Sequence, residues 1–335
     1  MHAIVIEKPE RVTLRQVETP VPKNDEVLLQ PRVGGICGTD VHIYQGDFLG
    51  DYPVIPCHEL SAEVVEAGRD VPGLKPGDTV AIDPNIRCGV CRFCQRGEKN
   101  ICETYNAVGV TRPGGFAEYV AVPWPNVHKV SQGEYTSAAF AEPLACVLFG
   151  LSKLQISERS NVIIWGAGAI GLLHMQICKR LKNATVTIVD REDARIEKAI
   201  QLGADHGIIA SEDSSDALRN IMPDGWDHAI EATGNVSVIT GLFEHLRRGG
   251  EALVFGVYPK DGRARISPFD IFVNDWSIFG SVTYRDEFRE AVGLVSTGLL
   301  DLESLVDRKI AMKQVPDYLE RLSHGEQLGK IHVHM

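Results

Sequence analysis

The chain has 335 residues, with 34 Lys and Arg against 45 Asp and Glu, a net charge of -11 and 44% hydrophobic residues. That length predicts two domains with ample apolar sequence for both cores, and that charge argues against nucleic acid or an anionic membrane as the main partner, since both reward clustered cations. No apolar run is long enough to span a bilayer, and "MHAIVIEKPERV" lacks the basic start, apolar stretch and cleavage site of a signal peptide, so a cytoplasmic enzyme is expected.

Taken in order, the chain opens on a strand running into a turn. Up to about residue 130 it is rich in Val, Gly and Pro. Short alternating runs such as "EVLLQPRV" and "SAEVVEAG" are broken by the turn signals "KPGD" and "RPGG". This predicts a many-stranded β domain. "TSAAFAEPLACVLFGLSKL" then has apolar residues at helical spacing. "NVIIWGAGAIGLLHMQICKRLKNATVTIVD" reads as strand, glycine-rich turn, helix and second strand. "WDHAIEATG" and "EALVFGV" are expected as buried strands with helices between, the alternation of a parallel α/β sheet. A helical "DEFREAVGLVSTG" and a final "GKIHVHM" follow.

Three groups of residues carry chemistry. The first is Cys88, Cys91, Cys94 and Cys102, four of the eight cysteines within fifteen residues. Without a secretion signal, metal is preferred over disulfides. Four thiolates close the shell of one tetrahedral zinc, which then holds a loop and does no chemistry. An iron–sulfur cluster is the competing reading. The second group is "GAGAIG", with Gly166, Gly168 and Gly171 after an apolar strand and at the head of a helix. That context is the dinucleotide fingerprint. Gly166 makes the turn, Gly168 admits the pyrophosphate, and Gly171 lets helix and strand pack. Asp190 ends the second strand, where it can accept hydrogen bonds from the ribose diol and repel a 2′-phosphate. NAD is therefore expected, with NADP left open by Arg191 and Arg195. Ala169, Ile170 and Thr233 complete the cofactor-binding candidates. The third group is scattered: Cys37 in "GICGTD", His58 in "PCHEL" and Glu142 in "FAEPLA". Within "VIPCHEL", neighbouring side chains of an extended segment face opposite ways. His58 is the expected ligand because it completes a set with Cys37 and Glu142, Glu59 is a conditional one that needs a backbone turn, and Cys57 is the weakest candidate.

Over its whole length the chain resembles the zinc-dependent medium-chain dehydrogenases, and most of all their polyol branch, the relatives of sorbitol dehydrogenase. The matching stretches are "GICGTDVHIYQG", the P-x-H-E motif, the cysteine lobe, "GGFAEYVAVP", "AEPLA", "GAGAIG" and "GKI". The resemblance implies an α/β fold: a doubly wound Rossmann sheet inserted in a GroES-like distorted β-barrel. The implied bounds are a catalytic domain over 1–148 with its zinc lobe at 88–102, an NAD-binding domain over 149–283, and a returning catalytic segment over 284–335. It implies a second, catalytic zinc on Cys37 and His58, with Glu59 and Glu142 as carboxylates that bind the ion or hold its water. Such a zinc acts as a Lewis acid toward the substrate hydroxyl, whose hydride passes to the nicotinamide. Thr39 matches the family's relay hydroxyl, and His42 is the next proton carrier. Phe48 and Phe116 are candidate pocket walls. Tyr284 and Arg285 are candidate contacts to secondary hydroxyls, although the order of the pair is reversed relative to sorbitol dehydrogenases. Relatives are dimers or tetramers, so a homo-oligomer is implied. The expected substrate is a polyol, sugar alcohol, sugar acid or sugar phosphate. The alternatives are L-threonine 3-dehydrogenase activity, a broad-specificity secondary alcohol dehydrogenase, and a catalytically silent nucleotide-binding relative. Two departures stand out: Cys57 replaces the usual glycine before the ligand histidine, and Phe149 stands where many relatives have histidine.

Overall fold

The computed structural model describes residues 1–47, 51–211 and 214–335. The chain divides into two compact units. One joins Met1–Ala145 to Arg285–Met335, and the other is Cys146–Tyr284.

The first unit is a distorted barrel sheet drawn from both parts of its chain. Its strands run in the order Val306–Ala311, Lys330–His334, Glu26–Ile36, Glu59–Ala67, Thr79–Ile82 and Val127–Lys129, and Val120–Pro123 also pairs with Glu26–Ile36. The long strand Glu26–Ile36 is the organiser. On one side it pairs Gly35 with Glu59, and on the other Gly35 with His332. The core inside the sheet is built from Val27, Leu29, Leu60, Val64, Val80 and Val333, all buried. β-Branched residues dominate there because they fit a pleated, half-buried surface.

The second unit holds six parallel strands: His206–Ile209, Thr185–Asp190, Asn161–Trp165, Trp226–Glu231, Leu246–Val254 and Ser277–Gly280, in that spatial order. Counted along the chain this is 3-2-1-4-5-6, the order of doubly wound dinucleotide-binding folds. Ile163, Ile164, Val186, Ile188, Ala229 and Ile230 are buried to 1% exposure or less. That explains why the central strands read as continuous apolar runs. The expected helix after the glycine turn spans Ala169–Lys182 and ends on Asn183 in the left-handed conformation. Among the described residues, no helix is long and apolar enough to cross a membrane.

Candidate active site and cofactor sites

Strand Glu26–Ile36 ends at Cys37, which caps the helix Gly38–Gln45. Asp40, three residues on, returns its carboxylate to the Cys37 N–H at 2.9 Å. The same carboxylate accepts from the Cys57 N–H at 3.1 Å and stands 3.7 Å from His58 Nδ1. One fully buried side chain thus ties the two segments that carry Cys37 and His58. The Cys57 backbone is left-handed, with φ of 85°. This turn breaks the alternation of an extended strand, so His58 and Glu59 both face Cys37. One donor atom from each of Cys37, His58 and Glu59 lies within 4.8 Å of the others. Cys57 is not in the cluster; its thiol approaches the Glu59 carbonyl.

The donor set suits a zinc ion with an open position. His58 is buried, and among the described residues its Nδ1 has no hydrogen-bond partner. Burial pushes the His58 pKa down, but the Asp40 carboxylate and Cys37 outweigh burial and hold it well above the ordinary value. A metal therefore competes with a proton for this imidazole. Glu142 lies outside the 4.8 Å cluster, half-buried in the first turn of helix Ala141–Leu151. Thr39 is half-buried. His42 is half-buried too, with Nδ1 3.0 Å from Asp47 Oδ1. Phe116 is fully buried in the barrel core, and Phe48 lies outside the described residues.

Two residues of this site escaped the sequence reading. Asp40 was visible only as the third residue after Cys37, the spacing of a capping box. Lys330 stands in "GKI", a stretch noticed without a role. Its Nζ, almost fully buried, contacts Glu59 Oε2 and donates to the Ile36 carbonyl at 3.4 Å. Burial disfavours the ammonium, but Glu59, then Cys37 and Glu142, outweigh it and raise the Lys330 pKa.

The cysteine lobe is a second, self-contained site. Cys88 Sγ lies 3.9 Å from Cys94 Sγ and 3.5 Å from Cys102 Sγ, and Cys91 Sγ lies 4.0 Å from Cys102 Sγ. A tetrahedron with Zn–S bonds of about 2.3 Å has edges of about 3.8 Å, so the four sulfurs fit one ion. The spacing is too wide for disulfides, and all eight cysteines are free. The lobe is tethered to the returning chain: Lys99 pairs with Asp286 at 2.6 Å, and Arg285 Nε donates to Asn100 at 3.2 Å. Tyr284 is fully buried.

At the glycine turn, Gly166 has φ of 104°, and a Cβ on Gly171 would stand 1.8 Å from the Gly166 carbonyl oxygen. Only glycine allows that helix–strand approach. A Cβ on Gly168 would meet nothing within 4 Å, so the protein leaves this side of the turn open. Asp190 accepts from the Ala167 N–H at 2.7 Å and the Glu192 N–H at 3.0 Å, with Arg195 3.8 Å away. Arg191 is exposed. Ala169 and Ile170 open the helix, and Thr233 is held by its N–H to Glu231 at 2.7 Å.

A barrel carrying a Cys/His/Glu donor cluster, together with a Rossmann sheet, defines a zinc- and NAD(P)-dependent oxidoreductase acting on a CH–OH group. Residues 23–132 match the alcohol dehydrogenase GroES-like domain and residues 169–297 the zinc-binding dehydrogenase domain. D-arabinitol dehydrogenase 1 of Uromyces fabae is 33% identical, over 98% of this chain and 95% of its own. D-altritol 5-dehydrogenase of Agrobacterium fabrum is 34% identical, over 94% of both chains. A zinc-binding dehydrogenase of Sinorhizobium meliloti, solved with NADP bound, superposes with a TM-score of 0.94 at 32% identity, covering 100% of this chain and 99% of the other. The chain belongs to the zinc-binding medium-chain dehydrogenases.

Proposed function

We propose that the protein oxidises a secondary hydroxyl of a polyol or sugar alcohol to the ketone, with NAD as hydride acceptor. The observation that carries this reading is the convergence of Cys37, His58 and Glu59 within 4.8 Å of one another. The arabinitol and altritol dehydrogenases among its relatives support the substrate class.

Cys37 and His58 would hold the catalytic zinc, with Glu59 or Glu142 as the carboxylate beside it. Bound there, the ion would supply Lewis-acid polarisation of the carbinol oxygen. Asp40 orients His58 and fixes the Cys37 turn, so the donors are set before the metal arrives. Thr39 takes the hydroxyl proton and passes it toward His42, since a hydroxyl can accept and donate at once. His42 Nδ1 stands 3.0 Å from Asp47 Oδ1, which holds the ring in place. The second zinc, on Cys88, Cys91, Cys94 and Cys102, is structural. Gly166, Gly168 and Gly171 would seat the pyrophosphate, and Asp190 would favour NAD by accepting hydrogen bonds from the ribose diol. The NADP held by the Sinorhizobium relative makes this cofactor preference a point to measure.

The enzyme is a cytoplasmic homo-oligomer in this reading. The edge strand Ser277–Gly280 exposes Ile278, and helix Pro268–Asn274 exposes Phe269 and Phe272 at 68% and 82%. An unpaired edge beside exposed aromatics favours a second copy.

A panel of pentitols, hexitols, L-threonine and simple secondary alcohols, each with NAD and NADP, tests the reading by reduced-cofactor absorbance. Turnover with pentitols or hexitols and loss of turnover in Cys37→Ser are expected. Reduction with threonine alone would overturn the polyol assignment.

A further inference from the structure

Strand Glu26–Ile36 lies between the strand that carries Glu59 and the strand that carries Lys330. Yet the two side chains meet. They do so across Gly35, which pairs with Glu59 on one side and with His332 on the other. A Cβ on Gly35 would stand 2.2 Å from Glu59 Oε2 and 2.9 Å from Lys330 Nζ. The missing side chain is what opens the passage between the two groups. Glu59 and Lys330 are 98% and 92% buried, and the ammonium also lies 5.9 Å over the Phe140 ring. With Glu59 Oε2 taken by Lys330, one carboxylate belongs to a fixed cation and to the metal cluster together.

We propose that Lys330 is a positioning residue that sets how strongly Glu59 holds the catalytic metal. The buried ammonium neutralises part of the carboxylate charge and anchors it, making Glu59 a weak and exchangeable ligand. This rests on the catalytic zinc of the proposed function. Two effects oppose each other when the cation is removed. The carboxylate loses an orienting partner, which ordinarily costs metal affinity. Among the described residues it then has no salt-bridge partner and faces only the His58 ring of the cluster, which makes the metal-free protein the disfavoured state. Glu59 has almost no exposed surface through which water could replace the lost partner, so the second effect wins.

The test uses purified holoenzyme and competes its zinc against a chromogenic chelator. Wild type is compared with Lys330→Met and Lys330→Arg. In Lys330→Met, one of the two zinc ions is expected to bind more tightly, by about 10-fold, the lower end of the scale on which such partners move metal affinity in either direction. The cobalt-substituted protein should show an altered visible spectrum, and kcat should fall more than KM rises. Lys330→Arg keeps the cation and should match wild type in affinity and spectrum. Unchanged or weakened metal binding in Lys330→Met, with an unaltered cobalt spectrum, overturns the proposal and leaves Lys330 a purely structural residue. If Lys330→Met does not fold, Lys330→Gln keeps a donor to Glu59 without its charge, and the same outcomes decide. Wild-type protein that binds a single zinc, on the four cysteines, refutes the catalytic zinc itself rather than the role of Lys330.

Discussion

The Cβ that Gly34 lacks would lie 2.6 Å from Cys57 Sγ and 3.0 Å from the Phe116 ring. Cys57 occupies a left-handed backbone position, and its thiol fills the space over Gly34. Gly34→Ala should therefore destabilise by about 2 kcal/mol through overpacking. Cys57→Gly loses the buried thiol but relieves the left-handed strain, and should stay within about 1 kcal/mol of wild type. The double variant should recover at least about 1 kcal/mol of the Gly34→Ala loss, because the two residues share one volume. Additive losses in denaturant melts would show that the thiol does not fill this gap.

Glu26 links Lys23 and Arg112 at the start of the long central strand. Burial pushes its pKa up, but the Lys23 N–H and the Arg112 guanidinium together outweigh it and hold it below the ordinary value. The unfolded chain then takes up a proton at higher pH than the folded one. The stability this carboxylate contributes is complete above the unfolded value of about 4.5 and is lost as pH falls through the folded one. Glu26→Gln should cost about 1 kcal/mol at pH 7. Its stability should also fall less steeply than wild type between about pH 5 and 3. Parallel acid limbs in urea titrations would contradict this.

The cysteines of the lobe differ sharply once zinc is removed. The Val90 and Cys91 N–H groups bring the Cys88 pKa down to about 6, whereas burial pushes Cys94 up to about 12. Only the thiolate is nucleophilic. At pH 7, brief iodoacetamide treatment of chelator-stripped protein should label Cys88 well ahead of Cys94, and zinc-loaded protein should resist at both. Equal labelling of the two, read by peptide mass, would refute the ordering.

Thr39 and His42 give a separable pair of effects if the proton leaves through them. Thr39→Ala should lower kcat by about 100-fold, the usual scale of lost proton transfer. Thr39→Ser should retain most activity, since only the hydroxyl is needed. His42→Asn should cost less than Thr39→Ala, because solvent can take the proton from Thr39 in its place. An active Thr39→Ala enzyme with an unaltered profile would remove Thr39 from the path.

Much of this site was legible in the sequence because its information is local. Four cysteines at close spacing can be read without coordinates, and so can a glycine turn between a strand and a helix. That the second unit is a parallel sheet followed from its alternating strands and helices for the same reason. What stayed hidden depends on strand neighbours remote in sequence. Nothing near Lys330 announces a carboxylate 271 positions away, and Gly35 has meaning only when both flanking strands are in register. Asp40 was readable as a cap, but its second acceptor role, toward Cys57, requires the folded turn. The extended-strand argument for "VIPCHEL" ranked the candidates but gave the backbone no turn; the left-handed Cys57 supplies it.

The crossing of Glu59 and Lys330 over Gly35 also bears on how the protein is made. Glu59 leaves the ribosome 271 residues before its cation does, and the whole of Cys146–Tyr284 emerges in between. That contiguous unit can fold while synthesis continues. The barrel must wait with an acidic group it can bury only at a cost. A nascent chain stalled before Lys330 lacks the strand that pairs with Glu26–Ile36 beside Gly35, so the sheet carrying the metal donors closes only once that strand is made.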